Sequence, residues 1–171
     1  MASQDLLASA RAKAFSLPAS SFAQFDTRAG GSTPNEVIEV VAYDAGSDEF
    51  ADVLLRLPEH YDGGGITLTI GWMAASATSG DVVWGGAVRA LPDDAEDVDS
   101  AHSYDFNEAT GTAASASGEV QYTDITFTNG ADMDSWAVGE WAIFRIRRNA
   151  DDAADTMTGD AQLLGISIKE T

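Results

Sequence analysis

The sequence of 171 residues lacks cysteine and contains only two histidines and two lysines. Without cysteine the chain has no disulfide, no thiolate metal ligand and no cysteine nucleophile. It also lacks an apolar run near the roughly 18 residues that a membrane-spanning helix needs. Basic residues are scarce, with 9 against 28 acidic ones and a formal net charge of −19, whereas binding to a phosphate backbone requires a basic surface. We therefore expect no membrane and no nucleic acid among its partners.

The composition that remains is typical of a folded domain rich in turns. The chain is 44% hydrophobic and 22% charged, and its acidic residues are mostly aspartates, 19 against 9 glutamates. Because aspartate favours turns and loops over helices, this surplus indicates many connections between short strands. The same acidity also suits salty water, where repulsion between surface charges is screened. The length fits a single core.

Alternation of apolar and polar residues is the main structural signal from residue 22 onward. It predicts an all-β fold, an antiparallel two-sheet β-sandwich of jelly-roll type that forms one domain over residues 21–171. A shift in the alternation at Asp124 predicts a β-bulge. The predicted strands are Glu36–Tyr43, Ala51–Leu57, Ile66–Trp72, Asp81–Leu91, Glu119–Thr128, Trp141–Arg148 and Gln162–Ile168.

Residues 1–20 follow a different pattern. Leu6, Leu7 and Ala10 recur at helical spacing, Arg11 lies on the other side, and the stretch ends at Pro18. This spacing predicts a short N-terminal helix or arm outside the sandwich. The alternative is a frayed terminus without a role of its own.

A catalytic apparatus is not evident. His60 and His102 are the two possible imidazole bases, and no serine lies in a G-x-S-x-G turn. We interpret both histidines as ordinary loop residues. Glycosidases need two carboxylates at a set separation, and the sequence singles out no such pair. We predict that the protein is not an enzyme.

Two acidic loops carry enough carboxylates to bind a hard cation such as calcium. One is Asp93–Asp99, and the other contains Asp151, Asp152, Asp155 and Asp160. Calcium takes six to eight oxygen ligands from such loops, but neither has the spacing of an EF-hand. The second set is a candidate calcium site, and the alternative is a solvated acidic loop. No other cofactor is expected.

The four tryptophans divide into two pairs. Trp72 and Trp84 fall in phase with the apolar faces of strands, which predicts core positions. Trp136 follows a loop aspartate and Trp141 begins a strand, so these two are candidates for surface contacts. They could stack on a sugar ring or pack at a subunit interface.

Two parts of the chain resemble small virion proteins of tailed bacteriophages, especially marine ones. The first runs from Leu57-Pro58-Glu59 through Gly63-Gly64 into the strand at 66–74. The second joins an arginine-rich strand at 144–148 to an Asp/Ala/Asn loop and a last strand at 160–166. The resemblance covers residues 35–171. It implies a β-sandwich protein of the capsid decoration (cement), head-fibre or tail-associated type.

This resemblance implies a structural role in a virion assembled in the host cytoplasm. The expected partners are the major capsid protein or other virion proteins, bound by a homotrimer on a repetitive lattice. The alternative function is a carbohydrate-binding module or tail adhesin that recognises host-surface glycans. A basic patch of Arg145, Arg147 and Arg148 would pair with acidic residues of a neighbouring subunit or of the capsid shell. The alternative is local pairing of these arginines with Asp151 and Asp152. The candidate contact residues are Leu6, Leu7, Arg11, Trp136, Trp141, Ile143, Arg145 and Arg147.

Overall fold

A computed structural model describes residues 5–171. In that range the chain forms ten strands and two single-turn 3-10 segments, and no α-helix. No helix in this range could therefore span a bilayer. The strands are β1 (Leu6–Arg11), β2 (Gln24–Ala29), β3 (Val37–Tyr43), β4 (Glu49–Arg56), β5 (Ile66–Ala74), β6 (Asp81–Leu91), β7 (Asn107–Thr112), β8 (Gln121–Phe127), β9 (Trp141–Arg148) and β10 (Ala161–Glu170).

The strands form two antiparallel sheets that pack face to face, which confirms the predicted sandwich. The larger sheet has the order β2-β3-β10-β5-β8, with β1 also paired to β10. The smaller sheet has the order β4-β9-β6-β7. Because side chains alternate across each strand, every strand in the middle of a sheet presents one face to the core between the sheets.

The core is made of the apolar positions that the alternation singled out. Ile66, Leu68 and Ile70 of β5 are fully buried, and they face the smaller sheet. Trp72 and Trp84 are also buried, with ring centroids 5.9 Å apart, as predicted. An edge-to-face arrangement of this kind adds to the stabilisation from burial alone.

All seven predicted strands are present with small shifts at their ends, but β1, β2 and β7 were not predicted. In β2 no residue is buried, so its sequence carries no alternation to detect. The bulge predicted at Asp124 is wrong, because β8 pairs with β5 in unbroken register from Phe127 to Gln121.

The predicted N-terminal helix is also wrong over Leu6–Arg11, which is strand β1 of the larger sheet. It pairs with β10 through main-chain hydrogen bonds, an arrangement that satisfies the same backbone groups as a helix would. A single 3-10 turn over Ala12–Ala14 follows it. Residues 1–4 of the predicted arm lie outside the described range.

Strand β10 accommodates two partners along one edge. Ala161–Leu163 pair with β3, while residues 165–169 pair with β1. A register shift between Leu163 and Gly165 separates the two halves. This arrangement places β1 beside β10, so that four strands in the order β1-β10-β5-β8 form one continuous surface on the outside of the larger sheet.

Candidate functional site

An open groove of about 740 Å³ lies on that outer surface. Its floor is defined by the strand registers, which align Arg11 with Gly165, Gly165 with Gly71, and Gly71 with Tyr122. Since neighbouring strands are about 4.8 Å apart, this row spans roughly 14 Å from β1 to β8. Two glycines in the middle of the row keep the centre of the groove low.

Tyr122 is the exposed aromatic residue of the groove, with 74% of its surface accessible. A Cβ atom at Gly71 would lie 3.4 Å from Cε1 of the tyrosine, so the ring edge rests beside this glycine at van der Waals distance. The alternation in β8 explains the orientation: Thr123 and Ile125 are buried, which turns Tyr122 outward.

A second row, one step along the strands, is polar. The registers align Ser9 with Ser167, Ser167 with Thr69, and Thr69 with Asp124. The Thr69 hydroxyl donates a hydrogen bond to Asp124 Oδ1. Serine hydroxyls each donate and accept, so Ser9 and Ser167, which line the groove, offer both kinds of partner to a polar ligand. Thr69 also lines it and offers an acceptor, because its hydrogen is bound to Asp124.

The charge of the groove is opposite in sign to that of the whole protein. Arg11 and Lys13 line it, and the lining within residues 5–171 includes no carboxylate and no histidine. Lys13 is 75% exposed and pairs with Glu39 at 2.7 Å. The groove is thus a weakly cationic, hydroxyl-bearing surface with one aromatic ring at its end.

Of the three candidate contacts from the N-terminal segment, Arg11 lies in the groove and Leu6 is exposed at the start of β1. Leu7 is only 8% exposed and belongs to the hydrophobic core. Its assignment as a contact residue is therefore wrong, because the β-bulge between Leu6 and Ala8 turns it inward.

The two candidate tryptophans differ. Trp136 is 2% exposed, packs on Phe144 with ring centroids 5.4 Å apart, and donates from Nε1 to the carbonyl of Glu140 at 3.0 Å. Its assignment as a surface contact is wrong, because the loop folds back onto the sandwich and buries it. Trp141 is 49% exposed on the outer face of the smaller sheet, with Ile143 half-buried on the same face.

Arg145 and Arg147 also lie on the outer face of the smaller sheet. Arg145 makes a bidentate pair with Asp52, at 2.7 and 2.8 Å, and its guanidinium lies 4.1 Å from the Tyr104 ring centroid. Arg147 pairs with Glu108 at 2.6 Å. Both guanidiniums thus have partners within the chain.

The predicted local pairing of these arginines with Asp151 and Asp152 is wrong, because their partners are Asp52, Asp48 and Glu108. The backbone amide of Asp151 donates to the carboxylate of Asp48, and the carboxylate of Asp152 accepts from the backbone amide of Ala154.

The four aspartates of the candidate calcium site do not come together. Within residues 5–171 no three acidic or histidine side chains converge in a metal-binding arrangement. Asp155 is buried against Arg148, while Asp160 lies in a different acidic pocket with Asp44 and Glu49. Burial raises the pKa of the Asp160 carboxyl, and repulsion from Asp44 raises it further.

Neither predicted loop histidine lines the groove. The residue that the sequence analysis missed is Tyr122. The available signal was its phase, because in 121–127 the tyrosine shares the polar face with Asp124 and Thr126. An aromatic residue on the polar face of a half-buried strand is exposed, whereas a tryptophan beside a loop can be buried or exposed.

The fold and groove define the protein as an antiparallel β-sandwich with an open surface groove on one sheet. No family model and no curated protein matches the sequence. Among solved structures, the CBM22-1 xylan-binding domain of Xyn10C from Paenibacillus barcinonensis is similar, with a TM-score of 0.51 and 11% sequence identity. The match covers 98% of this chain and 95% of that domain. At this identity the likeness concerns the fold.

Proposed function

We propose that the protein is a non-catalytic carbohydrate-binding module that holds a polysaccharide in the groove of the larger sheet. The observation that carries the proposal is the exposed ring of Tyr122 at the end of the glycine-floored row, beside the hydroxyls of Thr69 and Ser167. Sugar rings have an apolar face that packs on aromatic rings and a rim of hydroxyls that needs hydrogen-bond partners. The groove offers both on one surface.

The shape and the lining support binding of a polymer without cleavage. The groove is open, so a chain can lie across it and continue beyond both ends. Hydrolysis of a glycosidic bond requires two carboxylates, one on each side of the bond. The groove lining within residues 5–171 contains no carboxylate. The virion location, the capsid partner and the trimer remain predictions from the sequence resemblance.

Affinity electrophoresis and titration calorimetry against a panel of polysaccharides test the proposal, with xylan included because the similar domain is named for it. We expect at least one polysaccharide to bind, and Tyr122→Ala to weaken it by about 1–2 kcal/mol, roughly five- to thirtyfold. Because Tyr122 is mostly exposed, the variant should keep the wild-type melting temperature.

Trp141→Ala is the matched control, since it removes an exposed aromatic ring from the opposite sheet. It should bind as the wild type does. Failure of every polysaccharide to bind, or binding that depends on Trp141 and not on Tyr122, would overturn the assignment of the groove.

A further inference from the structure

The nine cations of this acidic protein are engaged in different ways. Arg28 donates to the carbonyls of Ala74 and Ala75 and to the side chain of Gln162. Within residues 5–171, Arg11 and Lys169 have no carboxylate at ion-pair distance. The cations that do pair with carboxylates are Lys13, Arg56, Arg89, Arg145, Arg147 and Arg148.

Three basic side chains have no carboxylate partner within residues 5–171. Arg28 is bound to main-chain carbonyls and Gln162, whereas Arg11 and Lys169 share one surface. Arg11 lines the groove and is aligned with Gly165 of β10, and Lys169 lies four residues further along the same strand. Four residues of a strand cover about 13 Å. Ser167, which lines the groove, lies between them on β10 and points to the same side.

Lys13 is the second positive charge in the lining of the groove. Its pair with Glu39 is highly exposed on both sides. Exposed pairs of this kind contribute about 0–1 kcal/mol, so Lys13 can exchange Glu39 for another anion at little cost.

Most basic side chains of this chain have an acidic neighbour, as expected for 28 acids and 9 bases. The groove differs because Arg11 has none and because its lining within residues 5–171 contains no acidic side chain. Two carboxylates contact lining residues from outside it, Glu39 at Lys13 and Asp124 at Thr69. Against a negative surface, such a region is a local positive potential that attracts anions. Arginine in particular presents a planar fork of donors that matches a carboxylate or a sulfate.

We infer that the polysaccharide bound in this groove is anionic and carries carboxylate or sulfate ester groups. A sugar ring packs on Tyr122, and the anionic group of another residue in the same polymer binds Arg11, with Lys13 and Lys169 at the sides. Arg11 and Tyr122 are separated by three strand spacings, roughly 14 Å, so one monosaccharide cannot contact both side chains. The inference rests on the proposed carbohydrate-binding function.

The test compares polygalacturonate, a sulfated galactan and a neutral β-glucan by titration calorimetry and affinity electrophoresis. We expect one of the anionic polymers to bind at least about tenfold more tightly than the neutral one at low ionic strength. Arg11→Gln should lose about tenfold in affinity for the anionic polymer only, and Lys169→Gln should lose less. Tyr122→Ala should weaken binding of every polymer that binds.

Arg56→Gln is the matched control, because Arg56 is an exposed cation on the smaller sheet that pairs with Glu59. Tight binding of the neutral glucan with no effect of Arg11→Gln would overturn the inference and leave the proposed function intact. Binding of the anionic polymers that all three cation variants weaken equally would indicate a diffuse charge effect and would also overturn it. Absence of binding to all three polymers would contradict the proposed function itself.

Discussion

Arg148 and Asp155 form an ion pair at 2.7 Å in which the two side chains are 0% and 2% exposed. A second hydrogen bond joins Arg148 Nε to Asp155 Oδ2 at 3.0 Å, and the backbone amide of Val83 donates to the same oxygen. The guanidinium also donates to the carbonyls of Met157 and Gly159. The acidic loop that suggested a calcium site is therefore organised around a cation supplied by the chain itself.

Removing the cation from this pair should be costly. Arg148→Met leaves the Asp155 carboxylate buried without a counter-charge, and we expect a loss of about 3–5 kcal/mol in the free energy of unfolding. Urea denaturation followed by tryptophan fluorescence measures it. The double variant Arg148→Met/Asp155→Asn should recover part of the loss, because the unpaired charge is gone and an acceptor for Val83 remains.

Arg56→Met serves as the control for that experiment. It breaks an exposed pair with Glu59, for which about 1 kcal/mol or less is expected. If Arg148→Met lowered the free energy of unfolding no more than Arg56→Met does, the buried Arg148–Asp155 pair would not stabilise the fold as its burial indicates.

Strands could be predicted from sequence alternation where one face is buried and the other is exposed to solvent. β5 shows this, since Ile66, Leu68 and Ile70 define its inner face unambiguously. β1 was misread because a bulge lets Leu7 and Ala10 face inward together, although they are three residues apart. Three is also a helical spacing, so the sequence alone does not separate the two structures.

The groove depended on information that local sequence does not contain. The outward phase of Tyr122 is visible in its strand, but its alignment with Gly71, Gly165 and Arg11 follows from the pairing of four strands far apart in sequence. The burial of Trp136 likewise depends on a loop folding back over the sandwich. Sequence alternation gives the face of a residue, and strand order gives its neighbours.

Gly165→Ala should destabilise the attachment of β1. A Cβ atom at this position would overlap the carbonyl oxygen of Ala10 and lie 3.0 Å from Cα of Arg11, so the backbone of β1 must move. We expect a loss of about 1–3 kcal/mol and faster hydrogen exchange at the β1 amides. Gly31→Ala is the control, because nothing lies within 4 Å of its added methyl group. Unchanged protection of β1 in Gly165→Ala would show that the close approach is not required.

Two carboxyls should make part of the stability depend on pH. Burial raises the pKa of Glu49 and of Asp160. Repulsion from Asp44 and Asp160 raises the pKa of Glu49 further, and repulsion from Asp44 and Asp26 raises the pKa of Asp160 further. The folded state therefore binds these protons more tightly than the unfolded state, for which the ordinary values are 4.5 and 3.8. Their contribution is unfavourable at pH 7 and is relieved as the pH falls through the raised pKa values towards the ordinary ones.

The double variant Glu49→Gln/Asp160→Asn removes this dependence. It should be more stable than the wild type at pH 7, and its advantage should shrink as the pH is lowered through that window. Melting temperatures at a series of pH values measure the difference. Asp151→Asn controls for the general benefit of removing acid from a protein of charge −19. An advantage that stayed constant with pH would contradict the assignment.

The buried Trp136 and the half-exposed Trp141 should respond differently to truncation. Trp136 fills a space against Phe144 and satisfies its Nε1 within the chain, so Trp136→Ala should cost about 3–5 kcal/mol. Trp141 is half exposed, and Trp141→Ala should cost about 1 kcal/mol or less. Urea denaturation measures both losses, and acrylamide quenching of the folded state should fall in the conservative variant Trp141→Phe but not in Trp136→Phe. Equal quenching changes in the two phenylalanine variants would mean that Trp136 reaches solvent, and it would then again be a candidate for contact with a sugar or a partner.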